Sequence, residues 1–153
     1  MDAARQIELL QFFRVLGGGM LKDMDEAQLL AVPEGMSNNI VWNIGHVLFY
    51  ESVFLYEQSG LPHVVPDSYG DLFKAGTSPA DWSAPPDVTE VLERYKTQAD
   101  QTASDFEAGK FKEFKPMNIR DQFTLGNLEE SLVFHCFHEG MHFGRIGALK
   151  SLV

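Results

Sequence analysis

The sequence predicts an all-α fold, a four-helix bundle with one long crossover between its second and third helices. Four stretches of about twenty residues lack proline and carry apolar side chains at helical spacing. Capping residues stand ahead of three of them: Ser37-Asn38-Asn39, Asp87 and Asn127. Proline instead gathers in one connection, Leu61 to Pro86, and no stretch alternates as a convincing strand.

The first helix is expected from about Ala3 to Lys22, with Leu9, Phe12, Phe13, Leu16 and Met20 in helical period across Gly17, Gly18 and Gly19. Each helical glycine costs roughly 1 kcal/mol relative to alanine, so a continuous helix needs a neighbouring backbone packed closely there. Asp25 caps a short turn, Glu26 to Leu30, which stops at Pro33, and Pro33-Glu34-Gly35 reads as a loop. The second helix, Ile40 to Gln58, puts Val41, Ile44, Val47, Leu48, Phe54 and Leu55 in the core. Asn39, Asn43, His46 and Tyr50 follow at steps of four, three and four, forming a polar stripe that either satisfies itself by hydrogen bonds or lines a site.

The connection Leu61 to Pro86, with a helical turn around Tyr69 to Lys74, is long enough to be a crossover that also rims a pocket. Asp87 and Glu90 form a capping box for the third helix, whose inner face is Val91, Leu92, Tyr95, Ala99, Thr102 and Phe106, ending at Gly109. Phe111 to Phe123 is a basic and aromatic connector. Asn127 and Glu130 make a second capping box, opening a last helix from Leu128 to Val153.

At 153 residues and 44% hydrophobic content, residues 1–153 form a single domain with a real core. A net charge of −10, with twelve scattered Lys and Arg, argues against nucleic acid and anionic membrane partners. The single Cys136 excludes an internal disulfide and fits a reducing cytoplasm. No apolar run reaches the roughly 18 residues of a spanning helix, and the N-terminus lacks a signal-peptide block. Internal repeats and low-complexity segments are absent from the sequence.

The chemistry centres on FHCFHEGMHFG, Phe134 to Gly144. On a helix, His138 and His142 lie one turn apart on one face, where two imidazoles can hold one metal ion. His138-Glu139-Gly140-Met141-His142 also spells the H-E-x-x-H string of zinc proteases. That reading lacks its downstream ligand: Arg145 and Ala148 stand where the extended motif needs glycine and histidine, and no acidic residue follows His142. A third ligand has to come from upstream. In a bundle, His46 of the second helix meets the pair in the core, and three neutral imidazoles leave coordination positions open, as catalytic metals need.

Ser37-Asn38-Asn39-x-x-Trp42-Asn43-x-Gly45-His46 and His138-Glu139-x-x-His142-x-Gly144-x-Ile146 together resemble the DinB superfamily, over essentially the whole chain. The resemblance implies a bundle, commonly dimeric, in which His46, His138 and His142 bind a divalent metal such as zinc, nickel or iron. It also implies thiol chemistry, because relatives include mycothiol-dependent maleylpyruvate isomerase, bacillithiol transferases and the bundle domain of ergothioneine-forming sulfoxide synthases.

The remaining residues take their roles from position. His135, three residues before His138, reads as an outer hydrogen-bond partner or substrate contact rather than a fourth ligand. Glu139 lies about 100° around the helix from His138, placed either as a base for bound water or as an outer carboxylate. Asn43 and Tyr50 are pocket groups or internal hydrogen-bond partners, Cys136 a packing residue, and Trp42 and Met141 core or interface. Helix 1, with its glycines and the apolar Phe12, Phe13 and Leu16, offers a homodimer contact. The functional expectation is a metal-dependent enzyme that activates a low-molecular-weight thiol or water against a small electrophilic substrate. The alternative is a non-catalytic bundle with a structural or sensing role.

Overall fold

The computed structural model describes residues 2–153. Its long helices are α1 (Ala3–Leu21), α3 (Ile40–Glu51), α5 (Val88–Glu107) and α6 (Leu128–Lys150), while α2 (Glu26–Leu30) and α4 (Ser68–Phe73) are short. Each long helix opens on an Asp or Asn whose side chain accepts an N–H from the first turn: Asp2, Asn39, Asp87 and Asn127. The caps at Asp87 and Asn127 are half boxes. Asp87 takes the Glu90 N–H without a reciprocal bond, and the Glu130 carboxylate caps the N–H of Gly126 instead of Asn127. Beyond Glu51 the chain stays helical through a π turn, Ser52–Tyr56, and a 3₁₀ turn, Glu57–Ser59. Gly60, at φ 69°, ends it.

Cross-helix contacts fix the topology. Gln11 to Asp100 and Gly17 against Tyr95 set α1 antiparallel to α5, and Asn43 to His142 with Phe54 to Ser131 set α3 antiparallel to α6. Gln98 to Leu48 and Thr102 to Glu51 make α3 and α5 parallel, which is why a long connection has to join them. That connection carries α4 and a 3₁₀ turn at Pro79–Asp81, and it buries Val65, Tyr69 and Phe73.

Two apolar clusters make the core. One joins Ile44, Leu48, Phe73, Tyr95, Ile146 and Leu149, and the other joins Ala3, Ile7, Phe54, Leu55 and Leu132. Each fully buried Leu, Ile or Phe contributes roughly 1.5–3 kcal/mol. Between the clusters lies a buried polar layer of Arg14, Glu51, Thr102, His135 and Glu139.

The face of α1 that enters the core is Ala3, Ile7, Leu10, Arg14, Gly17 and Leu21, whereas Phe12 and Leu16 stay exposed. Two expectations need correction. The helix is continuous through its glycines as expected, but it is the Tyr95 ring that packs there. A Cβ on Gly17 would stand 2.1 Å from Tyr95 Oη. The connector before α6 is not strandless: β1 (Met117–Ile119) pairs antiparallel with β2 (Phe123–Leu125). Arg120 and Asp121 turn between them at φ 51° and 56°, a left-handed pair that suits a tight hairpin although neither residue is glycine. Strands this short escape a reading based on alternation.

Candidate metal centre

Helix α3 carries the polar stripe in the position its spacing predicts. Asn39 and Asn43 are buried, His46 is 6% exposed, and Tyr50 is half-buried. Asn39 uses both ends: its oxygen caps Trp42 N–H at 2.7 Å, and its amide donates to Leu30 O at 3.0 Å. Asn43 donates to Asn39 O at 2.7 Å, which turns its Oδ1 towards His142.

Opposite this stripe, α6 presents His138 and His142. His46, His138 and His142 each offer a ring nitrogen, and these atoms lie within 4.8 Å of one another. The Nε2 atoms of His46 and His138 are 3.2 Å apart. His46 Nδ1 meets the Phe73 carbonyl at 2.7 Å, and His142 Nδ1 meets Asn43 Oδ1 at 2.8 Å. Both of those partners are acceptors, so each Nδ1 carries the proton and each Nε2 keeps its lone pair. Two ligands of one ion at about 2.05 Å stand about 3.3 Å apart, close to the His46 to His138 distance, while the three-histidine cluster as a whole spans up to 4.8 Å.

Aromatic rings enclose the three imidazoles. Trp42 stacks on His46 at 4.6 Å, Tyr50 packs against His46 at 4.6 Å and His138 at 5.5 Å, and Phe54 meets His138 edge-on at 5.6 Å. The Tyr50 hydroxyl accepts Ala75 N–H at 3.3 Å and keeps its own proton to donate. Burial disfavours charged imidazoles: His46 is held down to about 4 despite the Phe73 carbonyl, and His142 to about 4 with help from His46 and Arg145. Burial and the neighbouring histidines push His138 lower still. All three are neutral, the form that binds metal, at physiological pH.

His135 and Glu139 face elsewhere. His135 is fully buried, its Nε2 3.8 Å from both Glu51 and Glu139 and its ring 6.2 Å from that of His138. Glu139 is directed at α1, 3.0 Å from Arg14 Nε, because 100° of helix separates it from His138. Arg14 also holds Glu51 at 2.7 Å, and Thr102 donates to the other Glu51 oxygen at 2.6 Å. Burial raises the Glu51 pKa, but Arg14, His135 and Thr102 outweigh it and keep the group ionised. For Glu139 burial wins over Arg14, and its pKa is raised.

Sequence reasoning missed the Phe73 carbonyl, which has no signature in residue identity. It also missed the Arg14 and Glu51 pair, for which there was a signal: one charge on each of two otherwise apolar helix faces. Cys136 is half-buried against Gln6 O, and Met141 is exposed.

A family model described as the DinB superfamily matches residues 19–146. The chain belongs to the DinB superfamily. The match takes in both histidine-bearing helices and the crossover that supplies Phe73, so the DinB assignment and the three-histidine cluster fall on the same part of the chain. No curated protein matches it. Among the described residues of this DinB chain, no helix is long and apolar enough to cross a membrane.

Proposed function

We propose that this DinB protein holds one divalent metal ion on His46, His138 and His142 and uses it to activate a small thiol or water against an electrophilic small molecule. The observation that carries the reading is the mutual approach of three neutral imidazoles, two with Nδ1 tied to a fixed acceptor. Zinc, nickel and iron all suit imidazole ligands. An ion with three neutral ligands supplies a Lewis-acidic position with open coordination, at which a thiol or water is acidified.

The protein's own groups do the rest. Phe73 and Asn43 orient the ligand rings, and Trp42 and Phe54 exclude water from behind them. Tyr50 offers a hydroxyl proton to an anionic group beside the ligands. Glu139 and His135 serve as a buried network behind the site, because Arg14 already engages the carboxylate.

Metal analysis of tag-free protein purified without chelator or added metal tests this reading, with His46→Ala and His142→Ala alongside. Near one equivalent in the wild type and little in either variant is expected. A protein that takes up no zinc, nickel, iron or manganese defeats it. The second reading, a non-catalytic bundle pinned by metal, draws on the burial of His46 and His138 between α3 and α6. A loaded protein that melts on metal removal yet stays inert with every thiol and hydrolytic substrate selects that reading.

A further inference from the structure

Arg145 is a cation that the fold leaves unanswered beside the three histidines. At 100° per residue it lies about 20° from the azimuth of His138 and one turn beyond His142, on the line of α6 that carries both. It is exposed, whereas Ile146 and Leu149 are buried, so the ligand line reaches solvent at Arg145. Its charge is felt at His142, which it helps to hold neutral. Trp42, its ring 6.4 Å from that of His142, and the exposed Met141, one turn before Arg145, give this end apolar flanks.

Among the described residues Arg145 has no hydrogen-bond or ion-pair partner, although the chain carries 22 Asp and Glu. Arg5, Arg14 and Arg94 each hold a carboxylate. Lys150, the other cation in this half of α6, donates to Met20 O on α1. Among the described residues no carboxylate pairs with the three histidines either. His46 and His142 meet Phe73 O and Asn43 Oδ1, and the buried Glu51 and Glu139 are engaged by Arg14.

We propose, on the reading of this site as a metal centre, that Arg145 is a specificity-determining residue that binds the carboxylate of a small acidic substrate. Charge selects an acid. Three neutral imidazoles do not offset the charge of a divalent ion, and Arg145 adds to it, so the compensating negative charge has to arrive with the substrate. Elsewhere a chain of net charge −10 repels an acid, which makes the local cation the point of entry. The guanidinium fork matches the two oxygens of a carboxylate, whereas a phosphate would call for more donors than one arginine supplies. Size follows from the register. Three residues set Arg145 about 4.5 Å along the helix axis from His142, a span of a few carbon atoms. The substrate class is a short carboxylic acid, its carbon chain lying against Trp42 and Met141.

Thiol binding to the cobalt-loaded full chain tests the proposal, followed by the sulfur-to-cobalt absorption band at one pH and low salt. The probes are mercaptopropionate, the neutral mercaptoethanol and the cationic cysteamine. The wild type is expected to bind mercaptopropionate about tenfold or more tightly than mercaptoethanol, with cysteamine weakest. Arg145→Gln is expected to lose that preference while keeping its cobalt content, helical circular dichroism and mercaptoethanol affinity. Arg145→Lys, which keeps the charge without the fork, should restore part of it. A loaded wild type that binds the acid no better than the neutral thiol overturns the proposal. So does a preference that survives Arg145→Gln, which would place the carboxylate on the metal. Protein that takes up no cobalt defeats the metal reading itself and the proposal with it, a failure read from cobalt content before any thiol is added.

Discussion

Asn43 Oδ1 stands 2.8 Å from His142 Nδ1, a hydrogen bond from α3 to α6 that leaves Nε2 as the ring nitrogen of His142 with a lone pair. The bond exists because Asn43 spends its amide on Asn39 O, leaving only its oxygen to turn inward. Outer partners of this kind typically change metal affinity 10- to 100-fold. Asn43→Ala is therefore expected to retain the fold and weaken metal binding by about that factor in a chelator competition. A change below about threefold would separate the hydrogen bond from the site.

The same logic reaches His46 through the backbone. Phe73 O accepts from His46 Nδ1, and the Phe73 ring lies where a Cβ on Gly45 would be, 2.5 Å away. Gly45→Ala must push α4 outward and take the carbonyl with it. Weaker metal binding with His46, His138 and His142 all present is the expected outcome, measured by the same competition alongside a melting curve. Unchanged affinity would mean that α4 moves without its last carbonyl.

Acid should destabilise the metal-free protein well before ordinary carboxylates titrate. His46 and His142 titrate near 4 when folded against 6.5 when unfolded, and His138 is also depressed. Between those values the unfolded chain binds more protons, so stability falls as pH drops from about 6.5 towards 4. Glu139, with its raised pKa, acts in the opposite sense, one group against three. A melting temperature lower by on the order of 5–10 °C at pH 5 than at pH 7 is expected. A flat profile over that interval would show that the imidazoles are protonated in the folded state.

Much of this was legible in the residues, for a physical reason. Caps, helical period and the i, i+4 histidine pair are local, and the stripe Asn39, Asn43, His46 and Tyr50 follows from 3.6 residues per turn alone. The inner face of α1 was not, because its apolar residues Phe12 and Leu16 outweigh a buried face that contains Arg14 and Gly17. A buried arginine reads as surface until its two carboxylates, 37 and 125 positions away in sequence, are in view. The hairpin rests on three-residue strands held by the turn, too short for a pattern.

The glycine run separates two effects that sequence cannot. Gly17→Ala drives a methyl into Tyr95 Oη at 2.1 Å and its ring at 2.8 Å, an overpacking cost of about 1–3 kcal/mol or more. Gly18→Ala meets nothing within 4 Å among the described residues and gains helix propensity, up to about 1 kcal/mol. Urea denaturation should move the two midpoints in opposite directions. Matching shifts would indicate that α1 frays before its glycines contribute.

Among the described residues Arg14 is the one arginine or lysine in the layer between the two apolar clusters, with its side chain 2% exposed, and it faces both Glu51 and Glu139. Arg14→Met keeps roughly the length of the side chain and removes its charge, stranding two buried carboxylates, so a loss of about 3–5 kcal/mol is expected. Adding Glu51→Gln and Glu139→Gln removes the charges that Arg14 compensates, and most of that loss should return, because a neutral layer no longer needs the cation. Denaturant melts of the single and triple variants measure both steps, and metal content should survive in the triple variant, whose three proposed ligands are untouched. A triple variant no more stable than Arg14→Met would locate the role of Arg14 in packing against the Tyr95 ring, 4.6 Å from its guanidinium carbon, instead of in charge.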